Sequence, residues 1–416
     1  MAIFLLFIGV LTLVLLNVPI AVALGIAAVV AMIASQGLDT LPNLPIVMYN
    51  GATNFPLIAI PLFILAGAIM NTSGISRRLL AFASALFGFV RGGLAMVNVG
   101  ASMFFAEISG SAVADVAALG SILIPAMKKR GYPAPFAAAV TSSSASLAII
   151  IPPSIPMILY AVMSGSSVVQ LFVAGIVPGI IGGFLMMGLC YWFAVRHDYP
   201  VEEVFQLKRL WKTFKDASLA FLLPIIILGG IFGGVVTATE GAGLAVVAAI
   251  IIALIYHEFD WQIFKNAVID GGVQTAVVML LVASSALLGV YLTEAQVPQQ
   301  LALAITSWTT NSYAILALLN VFFLAIGLFL HSAAAIILVV PIVMPVVNAA
   351  GIDPVHFGII VTLNLSIGQQ TPPVASVLMT ACSIAKTGIW EVSKVNVYFV
   401  GVLLGVLLMV TYIPAI

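Results

Sequence analysis

Charge is what this chain has least of. Only 7% of its 416 residues are charged and 63% are hydrophobic, whereas a soluble domain carries about 25% charged and about 45–50% apolar residues. That excludes a water-solvated surface and points to a membrane protein with many spans. Cysteine is nearly missing as well. Cys190 and Cys382 both sit in apolar runs, which excludes a disulfide framework and a cysteine metal site and leaves them as small packing residues. The opening stretch, MAIFLLFIGVLTLVLLNVP, has no basic segment ahead of its apolar run, so it reads as a first span and not as a cleaved signal peptide. No nucleic-acid partner is expected.

What is present is a series of long apolar segments. Spans are predicted near 2–17, 19–35, 56–72, 133–163, 170–195, 217–235, 241–257, 273–292, 354–385 and 394–414, each close to the length that crosses a hydrocarbon core of about 30 Å. Two further apolar stretches behave differently. The segment 92–127 is flanked by Arg91 on one side and by Lys128, Lys129 and Arg130 on the other. Lys and Arg favour the cytoplasmic side, so it enters and leaves by one face, and each limb, at roughly 24 Å of helix, is short for a crossing. It reads as a re-entrant helical hairpin with its turn at ISGSA. With the N-terminus outside, every Lys and Arg of the chain falls on the cytoplasmic face, and the outer segments keep only Asp39, Glu240, Glu294 and Asp353.

The two halves match. GAIMNTSGISRRLLAFASAL from Gly67 is answered by GVYLTEAQVPQQLALAITSW from Gly289, and PFAAAVT is answered by HFGIIVT. The pair Pro152–Pro153 is answered by Pro372–Pro373. Five crossings per half invert the second repeat, so a second hairpin, 312–350, enters from outside. The fold expected is an all-α polytopic membrane protein of two inverted-topology repeats. Each repeat carries a re-entrant hairpin and a Pro-broken helix, as in elevator-type ion transporters. Residues 1–196 form the first repeat, 197–216 a cytoplasmic connecting and interfacial segment, and 217–416 the second repeat. Inverted repeats with broken helices mark secondary transporters. Irregular backbone at membrane depth is tolerated where it lines a cavity or is buried in protein.

At the first break lie TSSSAS (Thr141 to Ser146) and the tip residues Ser109, Gly110 and Ser111. At the second lie NLSIGQQT (Asn364 to Thr371) and the tip residues His331 and Ser332. Such oxygens together with freed carbonyls suit a hard cation, and the helix N-termini at the same depth favour an anion. Single serines and glycines are also common packing residues in membrane helices. Asp115 reads as an acid complementing a helix dipole. Glu107 stands open between a proton site and a structural acceptor, and Glu240 reads as a cap. Residues 75–90, 295–309, 196–217 and 256–268 read as interfacial helices, with an ordinary juxtamembrane loop an equal reading for 196–217. The hairpins and broken helices (92–163 and 312–385) are expected to move against a frame made of the remaining spans.

The stretches PLFILAGAIMNTSGISRRL, ISGSAVADVAALGSILIPAMKKRGYPAPFAAAVTSSSA, IIPPSIPMILYAV, LFVAGIVPG and GGVVTATEGAG resemble the large membrane (M) subunit of TRAP transporters, the tripartite ATP-independent periplasmic carriers, over essentially the whole chain. The resemblance implies uptake of a small organic anion, a carboxylate such as a C4-dicarboxylate or a sialic acid, across the bacterial inner membrane. It implies coupling to sodium, two ions or more, and an elevator-like motion. It also implies a small four-helix membrane (Q) subunit and a periplasmic substrate-binding protein as partners. By position, the family's sodium sites carry over to Ser109, Gly110, Ser111, Ser143, Ser146, Ser332, Asn364, Gly368, Gln369 and Thr371. Ser144, Pro152, His331 and Gln370 are the candidate substrate contacts. No arginine lies inside any predicted span, so a deep arginine clamp on the substrate is not on offer. A proton-coupled or binding-protein-independent anion carrier of the same architecture is the alternative, but Glu107 has no acidic counterpart in the second half. An intramembrane protease using Ser109 or Ser111 with His331 lacks the usual G-x-S-G setting.

Overall fold

The computed structural model describes residues 18–201 and 204–414, with scattered positions before them, and leaves the side chains of Thr72, Ile263 and residues 106–109 undescribed. The predicted first span, 2–17, lies mostly outside the described residues.

The chain is helical throughout. The first half holds α1 (Ile20–Gln36), α2 (Leu44–Ala52), α3 (Ala59–Thr72), α4 (Ile75–Phe87), α5 (Gly93–Ser109), α6 (Ala112–Lys129), α7 (Ala134–Ala145), α8 (Ile155–Ser164) and α9 (Val168–Arg196). The second half holds α10 (Leu207–Phe232), α11 (Ala238–Ile255), α12 (Trp261–Glu294), α13 (Val297–Trp308), α14 (Ser312–Gly327), α15 (Ser332–Ala349), α16 (Pro354–Gly368), α17 (Ser376–Ala385) and α18 (Ile389–Tyr412). Among the described residues there is no β-strand, only an isolated bridge between Arg91 and Val201. Among the described residues, six helices are long and apolar enough to cross a membrane, or seven if the bent pair ending in α3 counts as one span.

In each half a pair of helices meets at a short turn. Helices α5 and α6 meet at Gly110, whose φ of 58° is a backbone conformation that glycine adopts without steric cost. Helices α14 and α15 meet at Leu328–His331, and the Ser312 hydroxyl donates to the Ala350 carbonyl at 2.8 Å, so the two ends of this hairpin lie on one face. The broken helices follow from their prolines, which remove backbone donors and clash with the preceding turn. Helix α7 tightens into a 3₁₀ turn at Ser146–Ile149 and the chain restarts as α8. Helix α16 ends at Gly368 and the chain restarts as α17. Each break faces the tip of its own hairpin. A Cβ on Gly110 would stand 3.0 Å from the Pro153 carbonyl, and the Val374 amide donates to the Leu328 carbonyl at 3.3 Å.

Arg77 and Arg78 pair with Glu258, Arg91 with Asp198, and Lys128 with the Ala385 carbonyl. Gln36 bonds Glu294, Thr239 bonds the Phe55 carbonyl, and Tyr160 bonds the Pro354 carbonyl. Glu240 completes a capping box with Thr237 at the start of α11, the capping role expected for it. Both cysteines are free and buried.

Three expectations are corrected. Helix α2 was not foreseen, and its unit with α3 is bent by 63°. The segment 196–217 is not a separate interfacial helix, because from Leu207 the helix runs unbroken into the span and ends at Phe232. Likewise residues from Trp261 continue into one helix of 34 residues. Lys and Arg mark where a helix leaves the lipid, and nothing in these stretches breaks the backbone ladder there. Helices α9 and α18 lie beside the hairpins and the broken helices. They pack on each other, α9 also lies on α5 and α16, and α18 lies on α7 and α16. Helices α1, α3, α10, α11 and α12 form the other body.

Candidate functional site

A cavity of about 470 Å³ lies where the two bodies meet. Both hairpin tips reach it, through Gly110–Ser111 and His331–Ser332, and so do both breaks, through Ile155 and Gln369. The opposite wall is α12, with α1 and α3 at the edges, and its polar member is Gln274. Three helices begin at this cavity: α6 after Ser111, α15 after His331, and α8 after Ser154, whose hydroxyl caps the Met157 amide. The first amides of a helix have no intrahelical acceptor, and the aligned peptide dipoles add partial positive charge there. Among the described residues, no Lys, Arg, Asp or Glu lines the cavity. An anion would therefore be received by helix ends and neutral donors. One such donor stands ready: Gln369 is 2% exposed and its Nε2 has no hydrogen-bond partner among the described residues.

The two breaks are joined by a buried network of oxygens. Ser143 Oγ lies 2.7 Å from Gln370 Oε1 and 2.7 Å from Asn396 Oδ1. Gln370 Nε2 donates to Ser146 Oγ at 2.6 Å, and Ser366 Oγ donates to the Ser146 carbonyl at 3.1 Å. Asn396 Nδ2 donates to the Gln370 carbonyl at 3.1 Å. Ser143 carries one hydroxyl hydrogen and faces two carbonyl oxygens, an arrangement rich in acceptors. All of these side chains are buried.

Each hairpin also holds its own broken helix through an asparagine. Asn98 on α5 donates to Thr141 Oγ1 at 2.6 Å, and its carbonyl accepts from Ser144 at 3.3 Å. Asn320 on α14 accepts from Asn364 Nδ2 at 2.7 Å and donates to Thr411 Oγ1 at 3.0 Å. Asn364 Oδ1 is buried and has no hydrogen-bond partner among the described residues. Asn98 and Asn320 occupy matching positions in the two repeats. Sequence reading passed over them, although the internal match was the signal that could have found them. Asn396 and Gln274 were also missed, because a single amide in an apolar helix carries no pattern.

The candidate residues thus divide. Gly110, Ser111, Ser332, His331 and Gln369 line the cavity. Ser143, Ser146 and Gln370 form the buried network, whereas Ser144 bonds Ser102 and Asn98 at the root of the first hairpin. Asn364 belongs to the second asparagine cluster, and Thr371 donates to the Ile367 carbonyl. Gly368 packs against Gly327 so closely that an added Cβ would stand 2.5 Å from its backbone. Pro152 is buried in the first break. The side chains of Ser109 and Glu107 lie outside the described residues. Asp115 sits in the first turn of α6, buried. Among the described residues, no group of three or more His, Cys, Asp or Glu is placed to hold a metal ion.

Comparison with known proteins agrees with this architecture. Residues 7–416 match the family described as "Tripartite ATP-independent periplasmic transporter, DctM component". The chain is 40% identical over 402 residues to the isethionate TRAP transporter permease protein DctMQ of Oleidesulfovibrio alaskensis, covering 96% of this chain and 63% of that protein. It is 36% identical to the C4-dicarboxylate TRAP transporter large permease protein DctM of Vibrio cholerae, covering 100% of this chain and 96% of that one. It is 36% identical to the 2,3-diketo-L-gulonate TRAP transporter large permease protein YiaN of Escherichia coli, covering 88% and 87%. In fold it is similar to the Alcanivorax borkumensis YdaH transporter, with a TM-score of 0.66 at 15% identity over 91% of this chain and 89% of the other.

Proposed function

Because this chain belongs to the DctM family of tripartite ATP-independent periplasmic transporters, a family of inner-membrane permeases, we propose that it carries a small organic anion inward, driven by sodium. The observation that carries this reading is the cavity between the hairpin tips, where three helix N-termini converge with a buried amide and where, among the described residues, that amide has no partner and no charged side chain lines the wall. Anions are favoured at helix N-termini, and the relatives are named for isethionate, C4-dicarboxylate and 2,3-diketo-L-gulonate, all small organic acids. Sodium would be held by the oxygens around the breaks: Ser143, Ser146, Gln370 and Asn396 on one side, Asn364 on the other. Unwound backbone and helix C-terminal ends coordinate sodium in other transporters with broken helices.

The same reading gives α5–α9 and α14–α18 the role of a moving body and α1–α3 with α10–α12 the role of a fixed frame. Helices α4 and α13 link the two, since α4 packs on both α5 and α10, and α13 packs on α15. A small membrane subunit would dock on the frame, and a periplasmic binding protein would deliver substrate to the outer face. Uptake by proteoliposomes holding the permease and the small subunit, with the binding protein added outside, tests this. Isethionate or a C4-dicarboxylate should accumulate only with an inward sodium gradient. Equal uptake from a proton gradient without sodium would overturn the coupling.

A further inference from the structure

We propose that the cytoplasmic end of the protein holds a binding site for the phosphodiester of an anionic phospholipid, in a cavity of about 530 Å³ formed by α4, α10 and Tyr256, just beyond the end of α11. The site lies away from the transport cavity, where the linking helix α4 meets α10 and the end of α11, and it does not depend on the transport reading. Arg77 and Arg78 line it from α4, and Lys215 lines it from α10 together with the hydroxyls of Thr213 and Ser218.

The charges are arranged, not scattered. Arg78 lies 3.7 Å above the Tyr256 ring and donates to Glu258 Oε1 at 3.0 Å, which fixes the guanidinium at the back of the cavity. Arg77, 75% exposed, also reaches Glu258 at 2.9 Å. One carboxylate therefore serves two guanidinium groups. Asp216 is the single acid in the lining and stands beside Lys215. Three cations against two carboxylates leave one positive charge over, which matches the single charge of a phosphodiester. Basic pockets between membrane helices on the cytoplasmic side receive lipid headgroups in this way.

The surroundings place the cavity at headgroup depth. Trp211 and Phe214 are exposed on α10 beside it, and Trp rings concentrate at the membrane interface. From there a train of rings runs toward the hydrocarbon: Trp211 to Phe214 at 5.7 Å, Phe214 to Phe82 at 5.9 Å, and Phe82 to Phe104 at 6.0 Å. A lipid with its phosphate on Arg77 and Lys215 would lay its acyl chains along these rings. A free ammonium on the headgroup would meet the surplus positive charge, so phosphatidylglycerol should be held over phosphatidylethanolamine.

The test uses the full-length protein in nanodiscs of mixed phosphatidylethanolamine and phosphatidylglycerol, followed by detergent extraction and native mass spectrometry. The double variant Arg77→Gln/Lys215→Gln leaves the Arg78–Glu258 pair intact. With each basic residue near a membrane surface contributing about a fivefold factor, the double variant should retain phosphatidylglycerol about thirtyfold less well. Lys129→Gln, a base on the same face outside the cavity, should retain it as the unsubstituted protein does. Equal retention in the double variant would overturn the proposal, as would an equal loss in Lys129→Gln. Displacement of the lipid by millimolar inorganic phosphate would assign the cavity to a soluble anion instead. Loss of retained lipid when the small membrane subunit is bound would assign it to a protein partner.

Discussion

The Ser143 hydroxyl lies 2.7 Å from the side-chain carbonyl of Gln370, 227 residues away in the chain. This contact joins the serine-rich end of the first broken helix to the break in the second. It also places a hydroxyl where two amide carbonyls, those of Gln370 and Asn396, compete for one hydrogen. A cation would resolve that competition. Ser143→Ala should therefore raise the sodium concentration for half-maximal uptake. Contacts to a charged group are worth about 1.5–3 kcal/mol, so a rise of about tenfold or more is expected. Asn364→Ala, which deletes the unpartnered buried oxygen, should act in the same direction. Wild-type sodium dependence in both variants would remove these side chains from the ion site.

The paired asparagines carry a second expectation. Asn98→Leu strips Thr141 and Ser144 of a buried partner, and Asn320→Leu does the same to Asn364 and Thr411. Each of these groups keeps another hydrogen bond, so the loss is that of ordinary buried bonds, about 0.5–1.5 kcal/mol each. Each variant should melt earlier in detergent, by similar amounts, because the two sites are counterparts. A loss confined to one of them would show that the repeats do not share this support.

Gly368 and Gly327 let the second break sit against the second hairpin with no side chain between them. A Cβ on Gly368 would stand 2.5 Å from the Gly327 backbone. Gly368→Ala must therefore separate the two backbones, and overpacking of this kind costs about 1–3 kcal/mol. Gly405→Ala on α18, with open space around it, is the control and should be neutral or stabilising, since Ala is the better helix former. Equal melting temperatures for the two variants would contradict the close packing.

Much of this was legible in the sequence, for physical reasons. The Pro pairs announced the breaks because proline cannot continue the backbone ladder. The first hairpin was legible because bases on both sides of an apolar segment fix both ends to one face, and the second followed from the internal match. Helix α2 was not, since Pro42 and Pro45 dilute its apolar run. The continuity of α10 and α12 was hidden because charge marks the lipid boundary and not the helix end. The placement of α9 and α18 beside the broken helices was also hidden. These helices are apolar over most of their surface, so no periodic stripe shows which neighbour each one faces. The cavity's tip residues followed from the internal match, whereas Gln274 on the opposite wall had no partner in sequence to call attention to it.

Acidification should loosen the cytoplasmic end first. The Arg78 guanidinium, by hydrogen bonding to Glu258, holds that carboxyl below the usual carboxylate range. A carboxyl depressed by folding stabilises fully above its unfolded value and loses that contribution as pH falls through the folded value. The tie between α4 and residues 256–260 should thus be constant at neutral pH and weaken only below the ordinary carboxylate range. Glu258→Gln should remove the pH dependence of the hydrogen-exchange protection factors in α4. Unchanged protection factors in α4 at low pH would mean that the pair contributes nothing there.

Topology is open to labelling. Cys190 and Cys382 are buried, so single cysteines can be added with little background. An impermeant thiol reagent should label Gln296→Cys and Ala350→Cys from outside in intact cells, and should not label Ala126→Cys or Thr213→Cys. Outside labelling at residue 126 would defeat both the same-face hairpin and the inversion of the second repeat.

The motion is the hardest claim and has the sharpest test. A ligand in the cavity touches both bodies, because the tips belong to one and Gln274 to the other. To release it inward, either the tips must open in place or the whole body that carries them must slide along α12. Inverted repeats permit the second course, since the two end states can exchange near-equivalent packings. Thr293 on α12 and Ile342 on α15 line the same small crevice across the boundary. Cysteines at these two positions, once cross-linked, should stop uptake and leave substrate binding measurable. A cross-link between Ser312→Cys and Ala350→Cys, both at the mouth of one hairpin, should leave uptake intact. Full cross-linking at 293 and 342 with an unchanged rate would rule out the sliding body. Transport would then have to proceed by the hairpin tips opening locally.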